Sequence, residues 1–233
     1  MTSGMAQPEH PPSWPLPPVP PIPSPPSPPP VPWPPPRPEP EPSPWRPGSP
    51  PPVPGSALVL ELADRLLAQR IVLLSGTLDG PAATAAVARL MLLDADSGER
   101  IELHLSCPDG DLDAALVLAE AVDLLRAPVT AVLLGTVGGP VLAVVAAADR
   151  ATAHANASLV LREPRTSATG RADELLAAGE QHGRQVAELS SRIAAATRRA
   201  PDEIAADLRE GRVLDARQAV EYGLVDDVLA PRR

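Results

Sequence analysis

Aromatic residues are nearly missing from this sequence. They make up 2% of 233 residues, and phenylalanine is absent. The three tryptophans (Trp14, Trp33, Trp45) all precede residue 55, so Tyr222 is the one aromatic beyond it. Any core past that point must be packed from Leu, Val, Ile and Ala. Cysteine is equally scarce. Cys107 stands alone, which excludes an internal disulfide and a cysteine-only zinc site. A single thiol fits a reducing cytosol, and a cytoplasmic location is expected. The four histidines (His10, His104, His154, His182) lack metal-ligand spacing, so no metal and no other cofactor is expected. Positive charge is in deficit, with a formal net charge of -9. No basic stripe could repay phosphate contacts, which excludes nucleic acid as a partner. The start of the chain has neither the basic residues nor the apolar run of a signal peptide. The run Ala131 to Ala148 approaches the length of a membrane span, but Gly138, Gly139 and Pro140 break its middle. It reads as a buried strand, a tight turn and a buried helix, and no membrane association is expected.

What is abundant is proline, and it is placed unevenly: 27 of the 34 prolines fall in residues 1–54. Residues 1–55 are expected to form a disordered, proline-rich tail, and residues 56–233 a folded domain. Proline in such density removes ladder donors and favours polyproline II. At about 3.1 Å per residue the segment 8–54 could reach on the order of 140 Å. It reads as a semi-rigid spacer. The alternative is a docking peptide, with runs such as Pro34-Pro35-Pro36-Arg37-Pro38 offered to an aromatic groove.

Beyond Gly55 strands and helices alternate. Apolar spacing predicts helices over Leu58–Gln69, from Pro81 to about Asp94, from Asp111 to about Arg126, from Pro140 to Asp149, over Arg171–Arg199, from Pro201 to near Glu210 and over Asp215–Glu221. Short apolar runs predict strands at Ile71–Leu74, Ile101–Ser106, Val129–Leu134, Leu159–Leu161 and Leu224–Leu229. Turns are expected at Gly76–Gly80, Pro108–Gly110 and Gly135–Pro140. Repeated βαβ units imply an α/β fold with a mainly parallel sheet.

Several segments together are similar to the proteolytic subunit of the Clp protease. Arg65-Leu66-Leu67-Ala68-Gln69-Arg70-Ile71-Val72-Leu73-Leu74 resembles that family's opening segment. Ser106-Cys107-Pro108-Asp109-Gly110 stands where the family has Asn-Ser-Pro-Gly-Gly. Gly135-Thr136-Val137-Gly138-Gly139-Pro140 stands where it has Gly-x-Ala-Ala-Ser-Met. Asn156 to Pro164 resembles Asn-Ser-x-x-Met-Ile-His-Gln-Pro, and Ala219 to Asp226 matches the C-terminal signature almost letter for letter. The resemblance implies a crotonase-like α/β fold and a long protruding helix, here Arg171–Arg199, that interlocks two seven-membered rings.

It also implies a serine peptidase, and the residues at the aligned positions depart from one. Such an enzyme needs a nucleophile, a base, a carboxylate to orient the base, and oxyanion donors. The aligned positions hold Gly139 for the nucleophile, Arg162 for the base and Gly211 for the carboxylate. A guanidinium stays protonated and cannot serve as a base. Of the two implied oxyanion donors, one falls on Pro140, which has no N–H. The other falls on Gly110 and survives. Among substitutes, Ser106, Ser158 and Ser167 lie nearby in sequence without a histidine at the base position. Cys107 reads as a packed thiol. The expectation is a non-catalytic Clp-like subunit with a structural or regulatory role. Its expected partners are copies of itself or active Clp proteolytic subunits, a Clp ATPase, and a proline-motif binder at the tail. The alternatives are a crotonase-like ligand-binding protein and a weakly active peptidase subunit.

Overall fold

A computed structural model describes residues 62–230. The expected tail 1–55 and the first residues of the Leu58–Gln69 helix lie outside the described residues.

The described chain begins in a helix, α1 (residues 62–68), which leads into strand β1 (Ile71–Leu78). Then follow α2 (Gly80–Asp96), β2 (Ile101–Gly110), α3 (Leu112–Asp123) and β3 (Val129–Leu133). A short strand β4 (Thr136–Gly138), a 3-10 turn (Gly139–Val141) and α4 (Leu142–Ala147) come next. The chain continues through β5 (Arg150–His154), β6 (Ser158–Val160), α5 (Ala172–Thr197) and α6 (Pro201–Glu210). It ends in β7 (Val213–Asp215), α7 (Ala216–Tyr222) and β8 (Asp227–Leu229). The fold is α/β. Strands β1-β2-β3-β5-β8 form an all-parallel sheet in that order. A smaller sheet, β4-β6-β7, joins a parallel pair to an antiparallel one.

Local chemistry starts the helices where expected. Asp79 caps α2 by accepting from the Ala82 N–H, and Pro81 occupies its first turn. Asp111 caps α3 through the N–H groups of Asp113 and Ala114. Asp215 and Gln218 form a reciprocal capping box at α7. The β2 alternation places Ile101, Leu103 and Leu105 in the core, fully buried. The core is aliphatic, and Tyr222 is the aromatic it holds among the described residues.

The structure corrects several sequence expectations. β1 runs on to Leu78, through the turn predicted at Gly76–Gly80. β2 likewise runs through the predicted turn at Pro108–Gly110, with Asp109 paired to Thr77 and Gly110 to Leu78. The register slips between Ser75 and Thr77, so Pro108 sits at an irregularity where its missing N–H costs no ladder bond. The turn predicted at Gly135–Pro140 contains β4, and the predicted helix beyond it stops at Ala147. The strands β5 and β7 were not predicted. The last strand begins at Asp227 rather than Leu224, which is buried.

α5 is the long helix. Its 26 residues span about 39 Å at the usual rise. Its buried residues (Leu189, Ser190, Ile193, Ala194) lie in its C-terminal half. The N-terminal half stands out from the body and exposes Leu175 and Leu176. Arg192 ties the helix to α3 through Asp123 at 2.6 Å, and Gln185 bonds Asp113. No helix of the described residues is long and apolar enough to cross a membrane.

Candidate functional site

The site forms where the small sheet meets the end of β2. β4 pairs with β6, with Gly138 beside Val160. A Cβ on Gly138 would lie 2.9 Å from the Val160 Cβ, so only glycine lets the strands approach this closely. Gly139 follows in the left-handed region, at φ +57°. Pro140 is the second residue of the 3-10 turn, where its N–H would have been an orphan in any case. The Gly-Gly-Pro sequence thus makes a sharp strand-to-helix turn without strain.

β6 continues as extended chain. Leu161 donates its N–H to the Arg212 carbonyl, and Glu163 donates to that of Leu208. The β6–β7 register ends with Val160 paired to Val213, and beyond it the chain carrying Arg162 runs along the end of α6. Gly139 lies close to Arg162: a Cβ at position 139 would be 4.0 Å from the Arg162 carbonyl oxygen.

What fills this space is an ion pair. Arg162 Nη2 lies 2.8 Å from Asp109 Oδ2 as an ion pair, and Asp109 Oδ1 accepts the Gly110 N–H at 2.9 Å. A Cβ on Gly139 would be 3.0 Å from the same Oδ1. Both partners are about half exposed, so the pair is worth no more than about 1 kcal/mol. Its weight is steric and electrostatic. It occupies the guanidinium, the donor expected to survive at Gly110, and the room beside Gly139. Sequence reading missed Asp109. The available signal was an acid standing in the Ser106–Gly110 segment where the resembling family has glycine.

Gly211 caps α6 in the left-handed region, and a Cβ there would meet nothing within 4 Å. The carboxylate in this neighbourhood belongs to Asp207, and it is engaged elsewhere. Asp207 is buried, accepts from the Tyr222 hydroxyl at 2.6 Å and from Arg212 at 3.2 Å. Arg199 stacks over the Tyr222 ring at 4.1 Å. Burial, then the hydrogen bond and the charge of Asp207, push the Tyr222 phenol well above its ordinary range.

Of the substitute nucleophiles, Ser158 and Cys107 are already engaged by bonding or burial. Ser158 Oγ shares a hydrogen bond with Thr136 Oγ1 at 3.1 Å. Cys107 is 1% exposed, and burial pushes its thiol pKa up. A thiol reagent such as DTNB should leave Cys107 unmodified in the folded protein and react stoichiometrically in denaturant. Fast labelling of the native state would contradict this. Of the described histidines, His104 bonds Glu102 on β2, and His154 accepts from the Asn156 N–H. Among the described residues no group of three or more His, Cys, Asp or Glu could hold a metal ion.

Comparison with known proteins settles the family. The family model described as Clp protease matches residues 55–232, most of the chain. The chain belongs to the Clp protease family. Relatives in the family include ATP-dependent Clp protease proteolytic subunit 1 of Nocardia farcinica, 31% identical over 182 residues. That match covers 76% of this chain and 92% of the relative. A putative ATP-dependent Clp protease proteolytic subunit-like protein of Streptomyces coelicolor is 35% identical, covering 72% and 82%. The chloroplastic Clp proteolytic subunit 4 of Arabidopsis thaliana is 30% identical, covering 70% and 57%. In this member of the Clp protease family, the cleft beside Gly139 is lined by arginine and aspartate.

Proposed function

We propose that this chain is a non-catalytic Clp subunit, acting in a ring assembly as a structural or regulatory component. The observation that carries the reading is the Arg162–Asp109 pair beside Gly139. The position aligned with the nucleophile has no side chain, and the position aligned with the base holds a cation already bound to a carboxylate. Pro140 offers no donor for an oxyanion, and the Gly110 N–H points to Asp109.

Exposed apolar side chains support assembly. Leu92 is 61% exposed and Leu124 is 76% exposed, and Met91 and Val117 add to them on α2 and α3. The exposed Leu175 and Leu176 on α5 suit a contact between rings. Partners in this reading are further copies of the chain or active Clp proteolytic subunits, in the cytoplasm. A Clp ATPase and a proline-motif binder at residues 1–55 complete it.

The test is native mass spectrometry of the protein alone and mixed with active Clp subunits of the same cell, with fluorogenic peptide turnover read on the same samples. Silent rings, or mixed rings with altered turnover, are expected. A lone protein that cleaves peptide, or a monomer that neither joins nor alters the active enzyme, would overturn the proposal.

A further inference from the structure

Two neighbouring cavities share the lining residues Arg162, Glu163 and Arg165. One, about 130 Å³, is lined by Asp109, Gly110, Arg162, Glu163 and Arg165. The other, about 260 Å³, shares Arg162, Glu163 and Arg165 and adds Pro164, Leu208 and Arg209. Three arginines therefore line the joined cavities against two acidic residues, Asp109 and Glu163. On a chain of net charge -9 this local excess of positive charge runs against the background.

The three arginines are not equally committed. Arg162 is bound to Asp109. Arg165 and Arg209 are exposed, and among the described residues neither has an acidic partner within 4.0 Å. A guanidinium presents a planar fork of donors that matches a carboxylate. Asp109 shows that the cleft accommodates a carboxylate: one of its oxygens pairs with the Arg162 guanidinium and the other accepts the Gly110 N–H. The cleft holds a carboxylate now, and that carboxylate is its own.

We infer that this cleft is a carboxylate-binding site, with Arg162, Arg165 and Arg209 as its donors and Asp109 as a built-in competitor. The ligand class is a peptide carrying a free carboxylate, either its C-terminus or an acidic side chain. This rests on the reading of the cleft as catalytically silent, because a site of this kind holds its ligand without cutting it. Asp109 is half exposed and near the mouth of the smaller cavity, so an incoming carboxylate can displace it without unfolding anything. Arg165 and Arg209 draw the ligand in, and Arg162 exchanges one carboxylate for another. The pairs are solvent-accessible, so binding weakens with salt.

The experiment is calorimetric titration of the full-length protein with an N-acetylated alanine–leucine tetrapeptide in three forms. These are the free C-terminal acid, the C-terminal amide, and the amide with one internal glutamate. At least one carboxylate form should bind more tightly than the plain amide, and which of the two does so identifies the source of the carboxylate. Asp109→Asn keeps an acceptor for the Gly110 N–H but drops the charge, and should tighten binding about tenfold. Arg165→Gln with Arg209→Gln should weaken it by about threefold for each change. A thermal melt of each variant confirms that it folds. Equal affinity for the amide and both carboxylate forms, or an Asp109→Asn affinity no tighter than wild type, would overturn the inference. Mass spectrometry of the peptide recovered from the cell reads hydrolysis separately. Cleavage there would sink the silent-subunit reading, whereas the carboxylate preference is judged on the titrations.

Discussion

A variant with the three aligned positions rebuilt (Gly139→Ser, Arg162→His, Gly211→Asp) should turn over a fluorogenic peptide about two to three orders of magnitude more slowly than the same variant carrying Pro140→Ala as well. The reason is a single donor. In the family the residue after the nucleophile gives its backbone N–H to the developing oxyanion, and here that residue is Pro140. It sits in the first turn of a 3-10 segment whose N-cap makes no side-chain bond. An alanine N–H at that place is free to donate. The rebuilt side chains bring their own costs. Gly139 and Gly211 lie at φ +57° and +78°, so each new side chain adds about 1–2 kcal/mol of backbone strain. A Cβ at 139 also crowds Asp109 Oδ1, which moves more readily once Arg162 is gone. Turnover should be compared at matched oligomeric state and normalised by titration with a covalent serine reagent. Equal rates with and without Pro140→Ala would show that the missing donor is not what limits the site.

The largest expected loss of stability comes from Asp207→Ala. Asp207 is buried between Tyr222 and Arg212 and joins α6 to α7. Deleting its carboxylate leaves a buried hydroxyl without its acceptor and a guanidinium without its counter-charge. Arg212 is about half exposed, so water replaces part of what it loses. The net cost is about 2–4 kcal/mol, or a fall in Tm of roughly 5–12 °C. Tyr222→Phe removes only the hydroxyl and leaves Asp207 paired with Arg212, so it should cost about 1 kcal/mol. Circular dichroism melts check both. An Asp207→Ala Tm within about 2 °C of wild type would refute the argument. The raised Tyr222 pKa adds a signed prediction. Its neutral form is favoured in the fold, so its contribution is full below about pH 10 and is lost as pH rises beyond that.

Elements with period or punctuation were legible before the structure. The 3.6-residue spacing marked α2, α3, α5 and α6, and Pro81 and Pro201 marked two of their starts. Alternation marked β2 from Ile101 to Leu105. β4, β6 and β7 have three residues each, too few for any period to emerge. β6 was found by its apolar residues, whereas β4 and β7 owe their extended form to partners distant in sequence. β5 escaped notice because Arg150 and His154 flank small residues, and its place is set by pairing with β3 and β8. Pro108 looked like a turn because strands avoid proline, and the register slip opposite it was not visible in one dimension.

The site divides in the same way. The resemblance named Gly139, Arg162, Gly211, Gly110 and Pro140, and the fold brings the first two against one another. It did not name Asp109, because an acid among turn residues reads as ordinary turn chemistry. Only the packing of β2 beside β4 and β6 shows that it faces Arg162. Asp207 was overlooked, since burial at the end of a short helix depends on what α7 lays over it.

The aliphatic core also decides how this protein can be watched. With all three tryptophans ahead of residue 55, indole emission is a label on the proline-rich segment alone. The α/β body is optically quiet, carrying one phenol whose hydroxyl is tied to a carboxylate. An emission shift on adding a partner would therefore report a change around the segment's indoles. Far-ultraviolet dichroism follows the helices and strands of residues 62–230 in the same cuvette.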